Sequence, residues 1–528
     1  MKIIKNNFII LAIISLAAFV RFYKISDYMT FLGDEGRDVL VAYNILHGKL
    51  TLLGPTSSVG GFFLGPIYYY FISPFLWLFN YDPVGPAVMV GLFGVATVYL
   101  IYRIGSIFFN RQVGLISALL YSISPVVIAY SRSSWNPNLL PFFSILIIYF
   151  LYKASINNSG KLFFITGLLL GIGIQLHYII TFLGFTVFLY IFFINIFINK
   201  SKSYIFLLKK LLSQNLYIFG GFIISISPFL LFEVRHNFLN IQSIYKFIFH
   251  SSGTGVSNHF VQTIGNVLFR LFSRLITAFP PPEQVNIATN SYLAFWFYFT
   301  IMLIIASLGL FLYQYSKTIQ KRNEAFLKMS IILIWGTVGI LLFGFYNKPI
   351  YDYYFQFMFP LPFFLVGNLI YVIWSKSLIP FNFNKKRFIE KIFALIIFSV
   401  LFYLNISGMP FRFLANKQKD QVERIADFVI SKTNNKSFNF ALISQGNSDH
   451  GYRYFFEIIN HRPVVIENFQ NDLQRHTVTD QLLVICEQSC SPLGSSLWEI
   501  AGFGRAEIAE KWDFSVVSIY KLVHYIEK

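Results

Sequence analysis

The sequence predicts a polytopic α-helical membrane protein with a small α/β domain at its C-terminal end. Three observations lead there. Of 528 residues, 55% are hydrophobic and only 12% charged, with a mean hydropathy of +0.59, whereas a soluble domain carries about 25% charge. Long apolar runs alternate with short clusters of Lys and Arg. Beyond residue 407 the composition changes sharply.

Taken in order, the apolar runs that approach the ~20 residues needed to cross a bilayer are 6–23, 84–102, 113–130, 138–152, 162–179, 181–199, 215–232, 291–315, 329–346, 353–374 and 391–407, roughly eleven spans. Arg21 and Lys24 close the first run and no small-residue cleavage site follows it, so it reads as a retained span and not a signal peptide. Lys2, Lys5, Arg103, Arg111, Lys153, Lys161, Lys200, Lys202, Lys209, Lys210, Lys317, Lys321, Arg322, Lys328, Lys376, Lys385, Lys386, Arg387 and Lys391 fall in one set of loops, and the opposite short loops hold little beyond Arg132 and Lys348. The positive-inside rule makes the basic set cytoplasmic. The expected location is a plasma membrane, multi-pass, with the N-terminus cytoplasmic. The first loop (24–83), a middle loop (233–290) and residues 408–528 then face outside, and residues 1–407 form the membrane domain. The net charge of +18 does not point to nucleic acid, because the cations anchor loops and do not line one basic face.

The run 62–79 tests this topology. As a span it would move every later basic cluster outside. Gly65, Pro66 and Pro74 interrupt it, so it reads as a helix at the outer interface with Tyr68, Tyr69 and Tyr70 at headgroup level. In the tail, Gln418–Lys432 has helical periodicity with Val422, Ile425, Phe428 and Val429 on one face, and 438–444, 463–466, 481–486 and 515–522 read as strands. Cys486 and Cys490 suit a disulfide outside the cell or a pair of thiols equally.

The first loop carries Gly33-Asp34-Glu35-Gly36-Arg37-Asp38, followed by a helical run ending at Gly48. Asp34 or Glu35 at that helix's N-terminus is placed to accept a proton from an acceptor hydroxyl. Spacing alone favours helix capping and a local pair with Arg37. Arg132, in Ser131-Arg132-Ser133-Ser134-Trp135-Asn136-Pro137-Asn138, and Lys348 are the outside cations placed for a lipid phosphate, headgroup snorkelling being the competing role. Gln175 and His177 lie at the outer turn between two spans. Glu233 and Glu283 are acceptor-side candidates, with simple surface placement favoured.

A first span, an Asp-Glu pair in the first outside loop, and then Gly65-Pro66-Ile67-Tyr68-Tyr69-Tyr70 resemble the GT-C glycosyltransferases, in particular the protein O-mannosyltransferases, lipid A aminoarabinose transferases and related core-sugar transferases. Lys348-Pro349-Ile350-Tyr351 through Pro360 is similar to a later pattern of that group. The likeness is best over residues 1 to 200. It implies an inverting transfer of a sugar from a polyprenyl-phosphate carrier to a hydroxyl-bearing acceptor at the outer face. Asp34 would be the base with Glu35 in support. Arg132, Lys348, His177, Gln175 and Arg37 would contact the donor, and Tyr68, Glu233 and Glu283 the acceptor. Some relatives carry a second acidic residue where this chain has Asn136 and Asn138. No cofactor is required by the sequence. A Mg²⁺ or Mn²⁺ held by Asp34 or Glu35 stays open, since oligosaccharyl relatives use a metal and mannosyl relatives do not. A lipid-linked sugar transporter or flippase is the rival from another class, but it usually has internal repeats and polar groups at the midplane, and no repeat is visible here. A membrane sensor with an outside binding domain leaves the first-loop carboxylates without a role.

Overall fold

The computed structural model describes residues 2–57, 60–198, 203–251, 253–255, 259–375 and 384–526. Lys200, Lys202 and Lys376, assigned above to basic loops, lie outside the described residues, and Lys2, Lys5, Lys385, Lys386 and Arg387 are described by backbone alone. The chain runs through α1 (Lys2–Phe22), α2 (Ile25–Tyr28), α3 (Gly33–Leu46), α4 (Ile67–Leu78), α5 (Val84–Phe108), α6 (Arg111–Ile123), α7 (Pro125–Tyr130), α8 (Leu140–Asn157) and α9 (Gly160–Leu176). It continues with α10 (Thr181–Ile198), α11 (Tyr204–Ser225), α12 (Ser227–Arg235), α13 (Leu239–His250), α14 (Phe260–Leu275), α15 (Ser291–Ile319), α16 (Glu324–Leu341), α17 (Pro360–Ser375) and α18 (Asn384–Ser407).

Among the described residues, six helices are long and apolar enough to cross a membrane, and eight cross if each of two bent pairs is one span. The bends have local causes. Pro228 follows the 70° break between α11 and α12, and Pro360 stands at the 64° break between the 3-10 turn Asp352–Met358 and α17. A proline removes a backbone donor and crowds the preceding turn. The other three expected spans coincide with shorter helices: α1, α9, and α6 with α7, which part at Ser124-Pro125. Length and composition therefore support six to eight spans and do not establish eleven.

Small residues set the closest helix contacts. α9 packs on α11, where a Cβ on Gly167 would collide with the Ile218 carbonyl and one on Gly221 with the Phe164 carbonyl. Without a hydrophobic drive between helices in lipid, such close backbone approach supplies the packing.

α4 has 12 residues, about 18 Å at 1.5 Å per residue, too short for the ~30 Å hydrocarbon core. Its tyrosines depart from expectation. Tyr68 and Tyr69 are buried against neighbouring helices and do not face lipid. Only Tyr70 is partly exposed, and it exchanges hydrogen bonds with the backbone of Thr51.

The tail is a small α/β unit. α19 (Gln418–Lys432) occupies the expected span and buries Val422, Ile425, Ala426 and Val429. It is followed by β1 (Asn439–Ile443), α20 (His450–Ile458), β2 (Gln481–Cys486), α21 (Trp498–Phe503), β3 (Ala506–Phe514) and β4 (Val517–His524). The sheet order is β1-β2-β4-β3, with β1 and β2 parallel and the other pairs antiparallel. Residues 463–466 are not a strand. They touch the end of β1 through Val464, which donates to the Phe438 carbonyl and accepts from the Asn439 amide, and Pro463 has no donor to extend a ladder. β3 escaped notice because the strand is largely exposed and carries the charges Glu507, Glu510, Lys511 and Asp513 among its apolar residues. Cys486 and Cys490 are joined as a disulfide.

Candidate active site

The loop Ser131–Asn138 is the hub of one end of the molecule, because most of its side chains hold other elements. Arg132 gives its guanidinium to the carbonyls of Val20 (2.7 Å), Tyr23 (2.6 Å) and Lys24 (3.1 Å), closing the C-terminal end of α1. Ser133 Oγ accepts from the Thr30 N–H (3.2 Å). Ser134 Oγ and the Tyr68 hydroxyl share a hydrogen bond of 2.9 Å. The Trp135 ring meets Tyr353 with centroids 4.5 Å apart. Asn136 donates to the Leu176 carbonyl (2.5 Å), and Asn138 Oδ1 accepts from Gln356 (2.8 Å).

α3 stands on one side of this hub. Leu32 precedes it, and Glu35, the third helical residue, reaches back to accept the Leu32 N–H (3.1 Å) and the Thr30 hydroxyl (2.6 Å). This is half of a capping box. Burial pushes the Glu35 carboxyl above its ordinary range. Asp38 is fully buried and takes Arg37 Nε (3.0 Å) and Nη2 (2.7 Å) on one oxygen, while its other oxygen has no partner. Burial outweighs Arg37 and pushes Asp38 up to about 7. Asp34 differs from both. Its side chain is 57% exposed and its single partner is Arg37 Nη1 at 2.8 Å.

The tail closes over the start of α3. The Gly33 N–H donates to Asn447 Oδ1 (2.8 Å), and Asn447 in turn donates to Glu487 (2.7 Å). A Cβ on Gly33 would strike Ser448, and one on Gly36 would strike the backbone of Gly451. Ser448 Oγ lies 2.8 Å from His450 Nδ1. Phe31 packs against Phe455, and Lys419 reaches Asp82 (3.4 Å). The segment Asn447–Gly451 thus forms a wall beside Asp34.

A second charged cluster lies on the Asp352–Met358 turn, which the hub loop contacts through Trp135 and Asn138. Arg270 and Arg274, one turn apart on α14, converge on Asp352: Arg270 Nε and Nη2 donate to Oδ1 (3.0 and 2.6 Å), and Arg274 Nε to Oδ2 (2.7 Å). Arg270 also donates to the Ile350 carbonyl (2.7 Å) and lies over Phe355, while Arg274 donates to the Phe279 carbonyl. Glu283 approaches Arg270 only to 3.8 Å and is 60% exposed. Two guanidiniums thus share one partly buried carboxylate.

The remaining expected residues are distributed as follows. The His177 ring lies against Tyr353 and Tyr354, and its Nδ1 accepts the Ile179 N–H (3.2 Å). Gln175 is buried under Gly65 and donates to the carbonyls of Gly171 (3.0 Å) and Ser225 (2.8 Å). Glu233 is fully buried and accepts from Asn240 (2.8 Å) and the Ile241 N–H (3.0 Å), fixing the start of α13. Lys348 is exposed and lines an open groove of about 630 Å³ with Lys246 and His250. The hub therefore gathers Asp34, Arg37, Tyr68, Arg132 and His177. Lys348 and Glu233 stand apart, and Gln175 and Glu233 are engaged in structural bonds. Among the described residues, no group of three His, Cys, Asp or Glu is arranged to hold a metal ion. Asp34 faces solvent and Glu35 faces the core, so the two do not converge on one cation.

Sequence reading missed Asp38, Arg270, Arg274, Asp352 and the Asn447–Gly451 wall. One signal was present: Arg270 and Arg274 are the only charges in Phe260–Leu275, spaced by four.

Residues 64–219 match the family described as dolichyl-phosphate-mannose-protein mannosyltransferase. The structure is similar to that of ArnT from Cupriavidus metallidurans bound to undecaprenyl phosphate, with 11% identity, a TM-score of 0.62 and 98% of each chain covered. It is also similar to the archaeal oligosaccharyltransferase AglB from Archaeoglobus fulgidus in complex with an inhibitory peptide and a dolichol-phosphate, with 14% identity, a TM-score of 0.53, and 91% of this chain and 70% of that chain covered. The chain has the GT-C glycosyltransferase fold. No curated protein matches it by sequence. The GT-C fold makes it a multi-pass membrane protein, and the family match begins just before α4 and ends within α11.

Proposed function

We propose that this protein is an inverting glycosyltransferase that moves a sugar from a polyprenyl-phosphate carrier to an acceptor hydroxyl on a protein, lipid or glycan at the outer membrane face. The observation that carries this is the contrast within α3. Glu35 and Asp38 are buried and committed to structure, while Asp34 is exposed at the helix N-terminus beside Arg37. The carrier-linked lipids named in the solved relatives support the donor class.

In this reading the acceptor oxygen attacks the anomeric carbon on the face opposite the carrier phosphate. Its proton passes to an Asp34 oxygen, and the bond between anomeric carbon and phosphate oxygen breaks with its electron pair leaving on the phosphate. Arg270 and Arg274, only half neutralised by Asp352, stabilise that developing charge. Trp135, Tyr353 and His177 form an aromatic wall against which a sugar ring can lie. The basic loops support a cytoplasmic N-terminus and an extracytoplasmic tail. Arg132, spent on the end of α1, serves as a brace in this scheme, and Glu35 as the cap that aims Asp34.

The test is turnover of purified carrier-linked sugars by protein in nanodiscs. Asp34→Asn is expected to stop transfer while the variant elutes as folded protein. Wild-type turnover in that variant would overturn the assignment.

A further inference from the structure

A second polar cavity lies at the opposite end of the helices. It has a volume of about 350 Å³ and is lined by Lys210 of α11, Arg322 between α15 and α16, Glu324 at the start of α16, and the amides of Asn158, Asn195 and Gln214. α8 relates the two ends. It begins just after the hub loop and reaches this cavity at Ser155 and Ile156. Its 18 residues span about 27 Å, close to the thickness of a hydrocarbon core. The cavity therefore cannot share a ligand with the Asp34 site.

Its charge is unbalanced. Glu324, the carboxylate in the lining, is taken by Lys328 (2.7 Å) and the Tyr152 hydroxyl (2.6 Å). Lys210 makes no ion pair among the described residues, and Arg322 gives one N–H to the Phe197 carbonyl at the end of α10 (3.2 Å). The amides are ordered into a chain: Asn195 donates to Gln214 (2.7 Å), and Gln214 to Asn158 (3.1 Å). Ile191, Ile194 and Leu327 supply an apolar wall, and Leu208 and Leu212, flanking Lys210 on α11, are exposed on the helix surface. Two cations with a fixed amide floor and an adjacent apolar surface match a phosphate ester whose alkyl chains stay in the bilayer. Basic pockets between membrane helices take anionic headgroups in this way.

We infer that the cavity of Lys210, Arg322, Asn158 and Gln214 binds a phosphate group, supplied by an anionic phospholipid of the leaflet at the basic end of the bundle. This is independent of the glycosyltransferase reading. The probes are phosphatidylglycerol in phosphatidylcholine nanodiscs and, separately, inorganic phosphate. Native mass spectrometry is expected to show one more retained phosphatidylglycerol on the wild type than on Lys210→Gln/Arg322→Gln, and at least tenfold weaker binding to that variant. Ile156→Trp, which fills the cavity without removing charge, is expected to lose the same lipid, and Lys161→Gln to keep it. Displacement of the lipid by millimolar inorganic phosphate, or phosphate binding without lipid retention, supports the phosphate site with a soluble source. Equal lipid retention by wild type, the double variant and Ile156→Trp, with no phosphate binding, would overturn it.

Discussion

The two charged clusters that flank the hub loop have opposite balances. On α3, two carboxylates, Asp34 and Asp38, flank one guanidinium, and only Asp34 of them faces solvent. Between α14 and residue 352, two guanidiniums surround one carboxylate. In the proposed reaction, a group that takes a proton and a group that holds a leaving phosphate need these opposite surpluses. One loop that touches α1, α4 and the Asp352 turn keeps them in fixed relation.

The largest expected effect separates the carboxylates. Asp34→Asn should lower kcat by at least ~100-fold, the range for losing a general base, with little change in melting temperature because the side chain is exposed. Glu35→Gln should do the reverse. It weakens the cap on Leu32 and Thr30 by about 1 kcal/mol and retains most turnover. Melting curves and single-turnover rates on both variants decide it. Equal kinetic losses in the two would dissolve the distinction.

Next in size is the guanidinium side. Arg270→Gln should reduce kcat/KM for the carrier-linked donor by roughly 10–100-fold, on the scale of one lost oxyanion partner. Arg270→Lys should restore part of it, and the acceptor KM should hold. A shift confined to the acceptor KM would move Arg270 out of the donor site.

The clusters also differ in how far the sequence disclosed them. Asp34, Glu35 and Arg37 sit within one helical turn, so their spacing alone announced a helix start with a charge surplus. Arg270 and Asp352 are 82 positions apart and meet only after two intervening spans fold, which no local pattern encodes. The same reason hid the tail's part. Gly36 and Gly451 each look unremarkable, and their meaning is their mutual contact. Among the described residues, hydropathy located the six long apolar helices and both bent pairs, because burial in lipid leaves a long apolar run. It did not disclose the burial of Tyr68 and Tyr69, since an exposed tyrosine at an interface and one in a packed helix contact have the same composition. Arg132 misled likewise: an outside arginine reads as a phosphate ligand until the carbonyls it satisfies are known.

The seam between the tail and α3 gives an intermediate effect. Gly36→Ala forces a methyl group against the Gly451 backbone, and overpacking of this kind costs about 1–3 kcal/mol. The expected outcome is a melting temperature lower by several degrees and a raised acceptor KM with the donor KM unchanged. His450→Ala, which removes a wall residue without a clash, should shift the acceptor KM alone. If neither variant moves it, the tail only stabilises the start of α3.

The smallest effect on turnover, confined to stability, is a pH dependence from Asp38. An unfolded Asp titrates near 3.9, whereas burial holds the folded group at about 7. Between those values the folded state binds the proton that the unfolded state has released, so stability falls as pH rises from about 4 to about 7 and is level above. The full difference of about three units corresponds to at most ~4 kcal/mol. Asp38→Asn keeps the shape and removes the titration, so its melting temperature should change less than the wild type's between pH 5 and pH 8. Because the second Asp38 oxygen has no partner, the amide should also be tolerated with Arg37 still pairing to Asp34. Parallel melting profiles for the two proteins would mean that Asp38 stays ionised with Arg37, and α3 would then carry one more fixed negative charge beneath Asp34.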